Sequence, residues 1–221
     1  MKSETIIALC IGTMAMFGIM VYCRKWRRRF EIWKLAISAI LLTVSGALGA
    51  VLLYYVENGK FGGISFYGSL FVIPVLFLLV ALVLKIPYPD LMDLCAPCVS
   101  LMLAINKVNC IWSGCCKGIV LMVHSDGSAV RFPSQIVELL VALAITGLLL
   151  WLMSKVNYRK LLYPVFLVVY GVTRFGLNWL RETSPFLFGL PAGHIWSIVS
   201  VLIGAIWILI AVAVRKKHGK Q

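Results

Sequence analysis

The sequence predicts an all-α, polytopic membrane protein of seven transmembrane helices, with its N-terminus outside and its C-terminus cytoplasmic. The 221-residue chain is 62% hydrophobic, with a mean hydropathy of +0.97, well beyond the roughly 45–50% apolar content of soluble domains. Seven apolar segments of the length a hydrocarbon core demands, about 20 residues, recur at 4–23, 35–56, 64–84, 91–110, 135–153, 161–180 and 194–214. The basic residues are unevenly shared between the connections. Of 21 Lys and Arg residues, those at 24–34, 85, 155–160 and 215–220 fall on one side, and only Lys2, Lys60, Lys117, Arg131 and Arg181 on the other. The richer side is cytoplasmic by the positive-inside rule. The net charge of +13 is thus spent on orientation and on anionic lipid heads, and no nucleic-acid partner is expected. A single membrane domain, 1–221, accounts for the whole length.

Taken in order, the first segment lacks a basic stretch ahead of it and a small-residue cleavage pattern after it, so it reads as a retained span. The second leads into a loop with Gly59, Gly62 and Gly63, and the third opens on Ser65-Phe66-Tyr67-Gly68. Asp90 and Asp93 are expected to cap the fourth. That span carries Cys95-Ala96-Pro97-Cys98 and runs out through Asn106-Lys107-Val108-Asn109-Cys110 into Ser113-Gly114-Cys115-Cys116-Lys117-Gly118. The loop at 113–131, with Gly127, is expected to be irregular, as is 182–193, with Pro185 and Pro191. Pro133-Ser134-Gln135 reads as a helix entry whose Ser or Gln satisfies free backbone amides. The sixth span sets Tyr170, Arg174, Asn178 and Arg181 on one face, by spacings of four, four and three. His194 opens the seventh at the outer edge.

Lys107, Glu138 and Arg174 lie inside spans, where a charge costs at least about 2.5–3.5 kcal/mol and therefore marks function and needs a partner. Arg174 fits a structural pair with Glu138 and equally the recognition of phosphate, whose geometry a guanidinium matches. Gln135 and Glu138, three apart, share a face. Seven cysteines cannot all pair internally. Cys115 and Cys116 beside Lys117 suit a lowered-pKa nucleophile or a metal site with Cys110 and His124, but zinc-type spacing is absent; apolar packing is expected for both thiol sets, and no metal.

The glycine-rich Gly62-Gly63-Ile64-Ser65-Phe66-Tyr67-Gly68, the 106–118 cluster, Pro133-Ser134-Gln135 with Glu138, Tyr170-Gly171-Val172-Thr173-Arg174-Phe175, and Gly189-Leu190 with Gly193-His194-Ile195-Trp196-Ser197 resemble, in order and spacing, the bacterial prolipoprotein diacylglyceryl transferases. The resemblance implies seven spans, no cofactor, and transfer of a diacylglyceryl group from phosphatidylglycerol to the lipobox cysteine thiol of a preprotein at the outer face of the bacterial plasma membrane, releasing glycerol phosphate. It implies catalytic roles for Arg174, Lys107, Glu138, His194 and Tyr67. Gly63, Asn106, Asn109, Gly114, Gly118, Ser134, Gln135, Tyr170 and Asn178 are expected to bind substrate, with Cys115 and Cys116 as candidate thiols. The chain departs from the family pattern where Tyr67 replaces a histidine, Lys107 an arginine, Cys110 an asparagine, Cys115 and Asn178 acids, and His194 a glutamine. A different acceptor, a covalent intermediate on Cys115 or Cys116, and a non-catalytic lipid-binding relative are the alternatives.

Overall fold

The computed structural model describes residues 3–26, 30–124, 129–182, 186–187 and 190–218. Expectations that fall on Lys2, Arg27, Arg28, Arg29, Gly127, Pro185, Gly189 and Lys220 lie outside the described residues. The helices are α1 (Ser3–Cys23), α2 (Ile32–Asn58), α3 (Phe66–Leu84), α4 (Tyr88–Ser113), α5 (Ser134–Met153), α6 (Leu162–Asn178) and α7 (Ala192–His218). Among the described residues, six are long and apolar enough to cross a membrane; α6, with 17 residues, is shorter.

The fold is all-α as expected, and its connections carry two short strand pairs. β1 (Val120–Val123) and β2 (Ala129–Arg131) form an antiparallel hairpin with a bulge between Val120 and Met122, and β3 (Phe186–Leu187) pairs with β4 (Leu190–Pro191). The 113–131 connection is therefore partly regular. Val120-Leu121-Met122-Val123 is a short apolar run followed by Asp126-Gly127, a hairpin signal in its own right.

α4 is the hub, touching α1, α3, α5 and α6, while α6 packs along α7 and α2 along α3. Buried hydroxyls bind the helices across their seams: Ser69 Oγ donates to the Gly46 carbonyl at 2.6 Å, Ser100 Oγ to Ala142 at 3.0 Å and Ser200 Oγ to Leu167 at 2.9 Å. Such bonds are typical glue between apolar helices, where burial of apolar surface gives no preference for protein over lipid. Gly49 and Gly68 bring the α2 and α3 backbones into direct contact, since a Cβ on Gly49 would lie 2.5 Å from the Gly68 carbonyl oxygen.

α3 contains Pro74, which has no N–H to give the Leu70 carbonyl one turn earlier. The buried Tyr163 hydroxyl donates to that carbonyl instead, at 2.9 Å, and the Tyr88 hydroxyl donates to the Pro74 carbonyl at 3.2 Å. The expectation that Asp93 caps α4 is wrong. Its carboxylate accepts the backbone N–H groups of Lys160 at 2.6 Å and Leu162 at 3.0 Å, so it crosses the bundle to cap α6, which has no side-chain cap of its own. Asp90 does stand in the first turn of α4, 4.0 Å from Arg159.

Candidate active site

One turn into α5, Glu138 points into the bundle and is only 4% exposed. Three cations converge on it. Lys107 of α4 forms an ion pair with Oε2. Arg174 of α6 reaches the same oxygen through Nη1 at 2.5 Å, and Arg181, just past α6, stands 3.9 Å from Oε1. One carboxylate against three cations leaves the cluster positive. The Arg174 Nε–H is buried with no acceptor among the described residues, a condition that costs about 1–3 kcal/mol. Excess positive charge and an unused donor are both relieved by one bound anion. Leu103, Glu138, Val141, Tyr170, Thr173 and Arg174 line the narrow cleft beside the cluster, about 250 Å³ counting its open mouth.

On the other side of α6 an open apolar groove runs along α7, lined by Gly171, Val172, Phe175, Ile198, Val201 and Leu202, with Ser197 as its polar residue. Gly171 is glycine because a Cβ would meet the Ser197 carbonyl oxygen at 2.9 Å. α6 thus turns Tyr170 and Arg174 toward the polar cleft and Gly171 and Phe175 toward the groove.

Ser197 joins two of the expected residues. Its hydroxyl donates to the Gly193 carbonyl at 2.6 Å and accepts from Asn178 Nδ2 at 3.4 Å. With its single proton committed, Ser197 can only accept from Tyr67, whose hydroxyl lies 2.6 Å away. Tyr67 is therefore a buried donor in a fixed bond, and Asn178 is buried against Gly193. His194 is buried edge-on against the Phe175 and Trp179 rings, at centroid distances of 5.1 and 5.0 Å. Neither of its ring nitrogens has a partner among the described residues.

Pro133, Ser134 and Gln135 do open a helix, α5, but neither Ser134 nor Gln135 satisfies its free backbone amides as expected. Ser134 Oγ donates to the Cys116 carbonyl and Gln135 Nε2 to the Cys115 carbonyl, both at 2.7 Å. They hold the loop that Gly114 begins in the left-handed conformation, φ 63°, which reverses the chain at the end of α4 so that the Cys115 N–H returns to the Cys110 carbonyl at 3.2 Å. Gly118 lies against the Phe132 backbone, where a Cβ would not fit. Gly63 packs on the Tyr54 ring. Asn106 and Asn109 flank Lys107 on α4, half-buried, and the Asn109 carbonyl accepts the Ser113 hydroxyl at 2.6 Å.

The expectation of apolar packing holds for one thiol set and fails for the other. Cys95 and Cys98 are fully buried in the core, whereas Cys115 is exposed and Cys110 and Cys116 are half-buried at the mouth. Among the described residues no disulfide joins any of them. The Cys116 thiol is held below the ordinary thiol range, first by its hydrogen-bond contact with Cys110, then by the charges of Arg181 and Lys107, against partial burial that pushes it up.

Arg181 and Ser197 were missed as site residues. The helical spacing that aligns Arg181 with Arg174 was visible, but the residue reads as a loop charge; Ser197 sat in a noted motif without a reason to single it out. The loop of Arg181 is also tied to the 114–131 connection: Gly118 and Arg181 form a β-bridge, Ile119 N–H donates to the Leu180 carbonyl at 3.2 Å, and Arg131 pairs with Glu182 at 2.7 Å.

The family model described as prolipoprotein diacylglyceryl transferase matches residues 5–210. The chain is 26% identical, over a 246-residue alignment covering 95% of it and 90% of the relative, to "Phosphatidylglycerol--prolipoprotein diacylglyceryl transferase" of Francisella tularensis subsp. holarctica. To the protein of the same name from Teredinibacter turnerae it is 30% identical over 157 residues, 66% of this chain and 55% of the relative. With a match that runs through nearly every helix of the bundle, the chain belongs to the prolipoprotein diacylglyceryl transferase family.

Proposed function

We propose that this protein transfers the diacylglyceryl group of phosphatidylglycerol to the lipobox cysteine thiol of a prolipoprotein, at the outer face of a bacterial plasma membrane that it crosses seven times with its N-terminus outside. The observation that carries the reading is the buried carboxylate of Glu138 set among Lys107, Arg174 and Arg181, which leaves positive charge and the Arg174 Nε–H available to an anion. In the reaction the lipobox thiol loses its proton to solvent, the thiolate sulfur attacks the glyceryl carbon, the C–O bond to phosphate breaks, and its electron pair goes to the departing phosphate oxygen. Charge on the phosphate rises as it leaves, so cations fixed beside it favour the transition state over the bound lipid. Glu138 keeps those cations in place. The groove between α6 and α7 suits an acyl chain, since its lining is apolar.

Glu138 is occupied by cations and Tyr67 by Ser197. With neither free to take the thiol proton, a second reading is favoured, a relative that binds phosphatidylglycerol without turning it over; His194, whose ring nitrogens have no partner among the described residues, is the base left to the first. Release of glycerol phosphate from labelled phosphatidylglycerol, with a lipobox peptide and with the Arg174→Ala variant, tests both. The transferase reading expects peptide-dependent release, lowered about 10²- to 10³-fold by the variant, as for loss of one charge-stabilising donor. Lipid binding that needs Arg174 without any release is the outcome of the second reading, and release that ignores Arg174 removes both.

A further inference from the structure

The mouth of the site holds a group of side chains that the reading above does not use. The sulfurs of Cys110, Cys115 and Cys116 all lie within 4.8 Å of one another, and those of Cys110 and Cys116 are 3.9 Å apart. At a zinc–sulfur bond of about 2.3 Å, sulfurs sharing one ion stand about 3.8–4.0 Å apart, so small rotations of the side chains close the set. We propose that Cys110, Cys115 and Cys116 form a three-thiolate site for a soft d10 ion, Zn²⁺ in the first instance, with its fourth position open to a thiol brought by the acceptor.

The backbone is arranged for this. Gly114 turns the chain back over the last turn of α4, and Cys116 takes a left-handed φ of 60°, a conformation costly for a side-chain-bearing residue. Ser134 and Gln135 clamp the two carbonyls between which that strained residue sits. A strained, clamped turn is a preorganised one, and what it presents is three sulfurs. Among the described residues no carboxylate or imidazole belongs to the group, which suits thiolate-seeking ions over the hard, oxygen-preferring Mg²⁺ and Ca²⁺.

Charge agrees as well. A divalent ion with three thiolates carries one net negative charge, and the neighbouring cluster of Lys107, Arg174 and Arg181 around Glu138 has positive charge to spare. The three ligand thiols release their protons to solvent as the ion binds. Three protein ligands with a fourth position left over is the pattern of reactive rather than structural zinc sites, and a thiol that takes the fourth position is deprotonated by the metal itself. This last role rests on the transferase reading and would supply the thiolate that neither Glu138 nor Tyr67 is placed to generate. The metal site does not depend on it.

The test uses full-length, reduced protein in nanodiscs, loaded without oxygen with Co²⁺ as a coloured stand-in for Zn²⁺. One ion per chain is expected, with a sulfur-to-metal charge-transfer band that disappears in the Cys115→Ser/Cys116→Ser variant and persists in Cys10→Ser. Zn²⁺ should displace the Co²⁺ and bleach the band. Addition of a lipobox peptide should raise the band by the contribution of one more thiolate, and the same peptide with serine for cysteine should not. Because these readouts are spectroscopic, they are independent of turnover: a band with no glycerol phosphate release removes the transferase reading alone. Binding no greater than in the double variant, or a Cys110–Cys116 disulfide that survives treatment with reductant, overturns the metal site; a band indifferent to the cysteine peptide overturns the open position.

Discussion

Replacing Glu138 with Gln keeps the shape of the side chain and removes the one negative charge that faces Lys107, Arg174 and Arg181. At an effective dielectric of about 20, the contact with Arg174 at 2.5 Å amounts to about 6–7 kcal/mol of attraction before desolvation is subtracted. Most of that is offset by the cost of bringing both groups out of water. What the substitution exposes is the unbalanced remainder, cations left buried together, and breaking a buried pair in this way costs about 3–5 kcal/mol. For a chain of this length each kcal/mol moves the midpoint about 2–4 °C, so the Glu138→Gln protein should melt about 6–20 °C lower. The fluorescence of its seven tryptophans, followed on heating in detergent, measures the shift. Lys107→Met is the control: Glu138 keeps Arg174 and Arg181, and the crowding of cations falls, so its shift should be less than half as large. A Glu138→Gln protein that melts with the unmodified one, or a Lys107→Met protein that melts lower still, would refute the reasoning.

Gly68→Ala should force α3 away from the Gly49 carbonyl and cost about 1–3 kcal/mol, as overpacking does; an unchanged melting curve would mean the seam is loose. Asp93→Ala removes the acceptor for the Lys160 and Leu162 N–H groups and should cost about 0.5–2 kcal/mol, the loss of a helix cap, with denaturant unfolding as the measure and an unaltered midpoint as the contrary result. In metal-free protein, Cys116 should still react with iodoacetamide at a pH where an ordinary thiol, titrating near 8.5, has ceased to. The sign follows from its lowered pKa, which keeps the thiolate present as pH falls; a reaction midpoint at or above the ordinary value, read by mass spectrometry, would contradict it. Ser134→Ala should free the Cys116 carbonyl and speed that modification, and an equal rate would mean that the clamp does not hold the loop.

Helix number and placement were legible because a span must be long and apolar and its ends are marked by basic loops and glycines. Arg174 and Glu138 were legible for the opposite reason, as charges where none should be, and their pairing follows from the need of each for the other. The partners supplied by backbone were not legible. Asp93 reads as a local cap because local capping is the commoner use of an aspartate, and only the approach of α6 to α4 reveals the distant one. Ser134 and Gln135 likewise show their chemistry only once the Gly114 turn has brought two carbonyls to them. The three thiols were hidden by spacing: Cys110 stands on a helix and Cys115 and Cys116 beyond it, and no fixed motif describes a group closed by a helix-terminating glycine.

α4 is the most enclosed of the six long apolar helices, with 56% of its membrane window buried against 17% for that of α7, and two of its charged residues meet groups from further along the chain. Lys107 waits for Glu138 of α5, and Asp93 for the backbone N–H groups that open α6. During synthesis α4 therefore leaves the ribosome before the two helices that meet Lys107 and Asp93. Lipid is a poor waiting place for such a helix. Each of these groups raises the cost of α4 in lipid until α5 and α6 arrive, so the order in which this bundle gains its stability is written into the direction of its polar pairs.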